Sequence, residues 1–160
     1  MPATIRATAP ADTAAIFALA YELAEFKKLT HVFAATEDGL RDALFGARPS
    51  IEALVAESEG RIVGYALHNY SSFVGKRGLY LEDVYVQPAA RASGLGTALL
   101  KHLAAIAVER QCGRFEWTVL DWNTAAISFY EKMGATVLPD WRVVRLTGDA
   151  LEQLAAGAKV

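Results

Sequence analysis

The chain has 160 residues, 53% of them hydrophobic and 21% charged, with a formal net charge of −2 at neutral pH. That length and apolar content suit one domain with a substantial core, and the charges are too few and too mixed for a disordered chain. A small negative balance speaks against a broad nucleic-acid footprint, which shows as a basic excess on one face, and leaves small cationic substrates compatible.

Residues 3–7 read as a short strand, after which Asp12 or Thr13 starts a helix whose Ile16, Leu19, Ala20, Leu23 and Phe26 recur at helical spacing. A second helix is predicted over 36–45, opened by Thr36 and ended near Gly46. Strands follow at Glu52–Ser58, Arg61–Ser71 and Arg77–Gln87, with Glu59-Gly60 as the first hairpin turn and Gly75-Lys76 in the second. From Gly94 to Arg110, Leu95, Ala98, Leu99, Leu103 and Ile106 line one helical face that would cover a sheet. A strand over Phe115–Asp121, a short helix over Thr124–Met133 closed by Gly134, a last strand over Trp141–Leu146 and a helical tail complete the chain. This order predicts an α/β domain of α+β type over residues 1–160. Its central sheet is mixed and mostly antiparallel, with helices on both faces and one parallel strand pair made by a right-handed crossover through the helix at 94–110.

The stretch Met1-Pro2-Ala3-Thr4-Ile5-Arg6 lacks the basic start and apolar run of a signal peptide, and no segment approaches the roughly 18 apolar residues needed to span a bilayer. A cytoplasmic location is the default expectation. Cys112 is the single cysteine, so neither an internal disulfide nor a cysteine zinc cluster is possible. His31, His68 and His102 are scattered without ligand spacing, and no metal is expected.

The densest chemical signal is Gln87-Pro88-Ala89-Ala90-Arg91-Ala92-Ser93-Gly94-Leu95-Gly96-Thr97, which joins a strand to a helix. A helix start with unpaired amides, preceded by glycines that let backbone approach a ligand, is a ready site for phosphate or pyrophosphate. Arg91 adds a fixed fork of donors, and the small residues Ala92, Ser93 and Thr97 keep the approach open. The same glycines can equally serve only a strand-to-helix turn. A dinucleotide fingerprint fails, because Leu99 stands where the third glycine belongs, and no Gly-Lys-Ser or Gly-Lys-Thr is present for a Walker loop.

Upstream, Tyr80-Leu81-Glu82-Asp83-Val84-Tyr85-Val86 puts two consecutive carboxylates into an apolar strand. Burying either without a partner is costly. Strict alternation sends them to opposite faces; a bulge after them would break the ladder and free amides around Val84 and Val86 to polarise a carbonyl. A structural ion pair at a strand end is the competing account. Downstream, Asn123 can cap a helix too short to persist alone, and Tyr130 on that helix carries a phenolic donor.

Arg91-Ala92-Ser93-Gly94-Leu95-Gly96 matches the Arg/Gln-x-x-Gly-x-Gly/Ala signature of the GNAT N-acetyltransferases, and Asn123 with Phe129-Tyr130-Glu131-Lys132-Met133-Gly134-Ala135 matches that superfamily's later motif. Tyr80–Val86, Val119-Leu120-Asp121-Trp122-Asn123 and Glu22-Leu23-Ala24-Glu25-Phe26 further resemble the diamine (spermidine/spermine) and thialysine acetyltransferase group. The resemblance spans nearly the whole chain, with shortened segments around Glu59-Gly60 and before Trp141. It implies acetyl-CoA as cosubstrate, with no metal. The amides of Val84, Tyr85 and Val86 would hold the acetyl carbonyl and pantetheine arm. Arg91, Ala92, Ser93, Gly94, Leu95, Gly96 and Thr97 would wrap the pyrophosphate, and Asn123, Thr124, Ala125 and Ala126 would line the far side. Tyr130 would protonate the departing thiolate and also touch the coenzyme, a phenol near 10 being close enough to a thiol near 8.5. Glu82 would help deprotonate the amine through ordered water, since a glutamate near 4.3 is a poor direct base for an ammonium.

Phe26, Lys27, Glu82 and Asp83 are the expected amine-binding residues, with Asp121 and Asp140 as further contributors to a negative mouth. The polyamine enzymes of the group carry Tyr-Glu where this chain has Phe26-Lys27, so a carboxylate is replaced by a positive charge. Lys27 or Lys28 can pair with a substrate carboxylate, favouring a thialysine- or lysine-like amino acid, or both can be solvated at a helix end. The alternative is a non-catalytic acetyl-CoA-binding sensor or interaction module. A homodimer is the expectation from the resemblance, with the stretch around Trp141 available for contact.

Overall fold

A computed structural model describes residues 3–158, the side chain of Phe73 excepted. Met1 and Pro2, which open the stretch read above for a leader, lie outside the described residues. The chain forms two compact units, one running through Thr118 and the other beginning at Val119.

The first unit is built on a five-stranded sheet in simple sequential order. Its strands are β1 (Thr4–Ala7), β2 (Glu52–Ser58), β3 (Arg61–Phe73), β4 (Lys76–Val86) and β5 (Arg114–Glu116). The first four pair antiparallel, and β4 pairs parallel with β5. The parallel pair requires a crossover, supplied by α3 (Leu95–Glu109). Helices α1 (Thr13–Phe26) and α2 (Glu37–Phe45) connect β1 to β2, and Thr36 caps α2 by accepting the Gly39 amide at 3.0 Å.

Alternation along the strands divides the core between the two faces of the sheet. On one face Ile16, Leu19 and Leu23 of α1 and Leu44 of α2 pack with Ala53, Val55, Tyr65, Leu67 and Tyr85. The other face is covered by α3, which buries Leu95, Leu99, Leu100, Leu103 and Ala107 and packs on β1 to β4. Both hairpins turn through two consecutive residues of positive φ, Glu59 and Gly60 (52° and 74°) and then Val74 and Gly75 (52° and 76°), the twist that suits a tight hairpin. The second turn therefore sits one residue earlier than Gly75-Lys76.

The second unit holds α4 (Thr124–Lys132) and α5 (Gly148–Ala156). Gly134 follows α4 at φ 103°, the left-handed geometry expected of the residue that closes it. Two sequence expectations are corrected here. The strand anticipated over Phe115–Asp121 is confined to Arg114–Glu116, and Trp141–Leu146 is not a strand. The β-branched and aromatic residues of the latter have the propensity but no paired neighbour, and Trp141, Val143 and Val144 are 74%, 66% and 96% exposed.

Candidate active site

The site grows from an interruption in β4. Leu67 lies opposite Asp83 and His68 opposite Leu81, which leaves Glu82 as the extra residue of a β-bulge. The bulge therefore falls on Glu82 itself rather than after Asp83. Its effect is to bring both carboxylates to one face: Asp83 accepts from the Tyr65 hydroxyl (3.4 Å) and Glu82 from the Asn69 amide (2.9 Å). Tyr65, Leu67 and Asn69 alternate on the α1 face of β3, so the acidic pair lies on that face too.

Beyond the bulge the ladder resumes, with Val84 opposite Ala66, Tyr85 opposite Tyr65 and Val86 opposite Gly64. The Gln87 amide donates to the Val63 carbonyl at 2.9 Å, which sets the direction of its neighbours. Amides alternate sides along a strand, so Asp83, Tyr85 and Gln87 aim at β3 and Val84 and Val86 aim at the opposite edge. On that edge β5 pairs only as far as Tyr80, so the amides of Val84 and Val86 meet no strand among the described residues. The amide of Tyr85, expected in the same row, is turned inward.

Asp83 is held in competing surroundings. Burial pushes its carboxyl above the usual carboxylate range, and Glu82 adds to this; the Lys27 ammonium, 4.0 Å away, and the Tyr65 hydroxyl pull the other way. Burial likewise raises the Tyr65 phenol, with the Asp83 charge reinforcing it. Lys27 caps the C-terminus of α1 and reaches Asp83 from there, so its charge belongs to the acidic pair.

Past Val86 the chain takes a 3-10 turn over Pro88–Ser93 and enters α3 through Gly94, whose φ of 74° is the left-handed conformation that favours glycine. The first intrahelical bond runs from the Ala98 amide to the Gly94 carbonyl (3.0 Å), leaving the amides of Leu95, Gly96 and Thr97 without helical partners. A side-chain carbon at Gly94 or Gly96 would meet nothing within 4 Å, so open space lies over this helix start. Leu95 itself is buried, and its amide is what it offers; Ala92 and Ser93 are exposed, and the Ser93 hydroxyl donates to the Ala90 carbonyl within its own turn. Arg91 folds back, its Nε donating to the Val86 carbonyl at 2.9 Å while its guanidinium lies over the rings of Tyr85 and Phe26.

Phe26 thus meets Arg91, whereas Lys27 beside it meets Asp83. In the second unit, Asn123 accepts the Ala126 amide at 3.3 Å and caps α4, with Thr124, Ala125 and Ala126 forming its first turn. Tyr130 lies half-buried on the same helix, 5.6 Å from the Phe129 ring, and burial raises its phenol. Asp121 and Asp140 are exposed in this unit.

Two residues of the site escaped the sequence reading: Asn69 holds Glu82, and Tyr65 holds Asp83. Glu22 of α1, read there only within the Glu22–Phe26 stretch, accepts from the Tyr85 hydroxyl (3.0 Å) and the Gln87 side-chain amide (3.3 Å). The available signal was polar groups at alternate positions, Tyr65 and Asn69, on an otherwise apolar strand face.

The acetyltransferase (GNAT) family model matches residues 15–135. A thialysine N-epsilon-acetyltransferase of Mus musculus is 39% identical over 164 residues, covering 94% of this chain and 96% of its own. An L-ornithine N5-acetyltransferase of Arabidopsis thaliana is 34% identical over 197 residues, covering 94% and 86%. Among solved structures, an integron cassette protein from the mobile metagenome of V. cholerae superposes with a TM-score of 0.81 at 26% identity, covering 97% of this chain and 98% of that one. A family model matched over most of the chain, and relatives of this identity and coverage, place it: the chain is a member of the GNAT family of N-acetyltransferases.

Proposed function

We propose that residues 1–160 act as one acetyl-CoA-dependent N-acetyltransferase domain whose acceptor is a primary amine of a small cationic substrate. The carrying observation is the pair of outward amides at Val84 and Val86, next to a helix start over which a Cβ would meet only open space. These features fit a coenzyme with a carbonyl, an extended arm and a pyrophosphate. The family match across 15–135 runs through both units and supports treating them as one domain.

Acetyl-CoA, when bound, supplies the activated acetyl thioester. Val84 and Val86 hold the acetyl carbonyl and arm through their amides, where preorganised donors of this kind are often the largest catalytic contribution. Residues 91–97 receive the pyrophosphate, chiefly through the amides of Leu95, Gly96 and Thr97; the family resemblance assigns Asn123–Ala126 to the coenzyme as well. Tyr85 serves the site through its ring against Arg91. Tyr130 keeps its proton on Oη across the physiological range, because burial raises its phenol, and is the donor to the departing sulfur. Glu82, steadied by Asn69, takes the amine's proton through water, and Asp83 attracts the substrate's cationic group.

Lys27 narrows the acceptor. Two carboxylates against one ammonium leave a single negative charge, which suits an amino acid carrying a second amine better than a diamine or polyamine. The relatives named for thialysine and L-ornithine support this. A cytoplasmic homodimer belongs to the same proposal; the exposed Trp141, Val143 and Val144 support an interface, and the free Cys112 suits a reducing compartment.

The test is a free-thiol assay with acetyl-CoA and a panel of thialysine, lysine, ornithine, spermidine and putrescine, beside calorimetry with CoA. Turnover with the amino acids is expected. A strong spermidine preference would overturn the amino-acid assignment, and coenzyme binding without CoA release from any amine would establish a sensor.

A further inference from the structure

Phe26 is half exposed (49%) at the end of α1, and its ring faces Arg91. The guanidinium carbon lies 5.7 Å from the Phe26 ring centre and 5.5 Å from that of Tyr85, so the cation sits against one ring from α1 and one from β4. Both ends of this arrangement are tied down. The Tyr85 hydroxyl and the Gln87 side-chain amide both donate to Glu22 of α1, and Arg91 Nε donates to the Val86 carbonyl. The guanidinium is thereby held before any anion arrives, which spares rotamer freedom that a loose arginine loses on binding.

We propose that Phe26 is a positioning residue for the coenzyme's phosphate loop, acting through Arg91, rather than a wall of the amine subsite. This rests on reading residues 91–97 as the pyrophosphate site. It ties the C-terminal end of α1, which also delivers Lys27 to Asp83, to the loop at the far end of β4.

The experiment compares the intact protein with Phe26→Leu, which keeps apolar bulk and removes the ring face, and Phe26→Tyr, which restores it. Two readouts are taken: the Arg91 Nε–H resonance without coenzyme, and the Kd for CoA by calorimetry alongside KM for the amine at saturating acetyl-CoA. Phe26→Leu should move the Arg91 resonance out of its ring-shifted position and raise the CoA Kd about two- to five-fold, the factor carried by one exposed cation–π contact. The amine KM should not follow, and Phe26→Tyr should recover both signals. A Phe26→Leu protein with an unshifted Arg91 resonance, or with an altered amine KM and wild-type CoA affinity, would overturn the proposal. Wild-type protein that shows the ring-shifted Arg91 signal but binds no CoA would instead overturn the coenzyme reading on which the proposal stands, and the proposal with it.

Discussion

Gly96 separates a coenzyme cradle from a simple turn. It occupies the first turn of α3, has no left-handed φ, and a Cβ there would meet nothing within 4 Å. Leucine, a helix former close to alanine, is favoured over glycine in such a helical position by about 0.5–1 kcal/mol, because less backbone entropy is lost on folding. Gly96→Leu should therefore stabilise the protein by about that amount, raising Tm by roughly 1–4 °C for a chain of this size. The same side chain, bulkier than the alanine the signature accepts here, intrudes on the space over the amides of Leu95, Gly96 and Thr97. Losing one charge-assisted contact to a phosphate costs about 1.5–3 kcal/mol, so the CoA Kd should rise roughly ten- to a hundred-fold. Thermal unfolding without ligand gives the first quantity and calorimetry with CoA the second. A variant that is more stable and binds CoA like the wild type would refute the cradle and leave only a turn; one that is less stable would refute the reading of the local backbone.

Tyr130→Phe should lower kcat by about 10²- to 10⁴-fold, the usual worth of a positioned acid, while the CoA Kd stays close to wild type; an unchanged kcat removes Tyr130 from proton transfer. Glu82→Gln should displace the acidic limb of the kcat/KM profile to more alkaline pH, as the water-mediated proton path loses its acceptor, and an unmoved limb would reject Glu82 in that role. Away from the site, Asp12 accepts from both terminal nitrogens of Arg6 (2.8 and 3.0 Å), and that pairing holds its carboxyl below the usual value of 3.8. A depressed folded-state value means the stabilisation is complete above pH 3.8 and fades as pH falls through the folded value. Asp12→Asn should cost roughly 2 kcal/mol at pH 7 and flatten the acid limb of denaturant-measured stability; a variant whose acid limb keeps the wild-type slope would assign that limb elsewhere.

The local signals were strong wherever short-range chemistry decides. Helical periodicity together with turn and cap signals located β1 to β4 and α1 to α4, Thr36 and Asn123 proved to be caps, and Gly94 takes the left-handed φ that the strand-to-helix passage needs. The resemblance carried by Arg91–Gly96 and by Asn123 with Phe129–Ala135 likewise pointed to an acetyltransferase before any fold was known. Periodicity misled at Trp141–Leu146, where strand propensity lacks a partner to bond, and at the length of β5, because propensity does not report pairing.

Where the carboxylates point was decided by tertiary structure. Consecutive residues of a regular strand face opposite sides, and only the extra residue at position 82, visible in the register against Leu67 and His68, turns Glu82 and Asp83 to the same face of the sheet. The same is true of Lys27, which sequence leaves equally as a solvated end charge and which folding delivers to Asp83, and of Arg91, whose two rings come from segments some sixty residues and six residues away along the chain. Composition and motif spacing name the groups a chain possesses; which of them meet depends on register and packing over distances that no local pattern encodes.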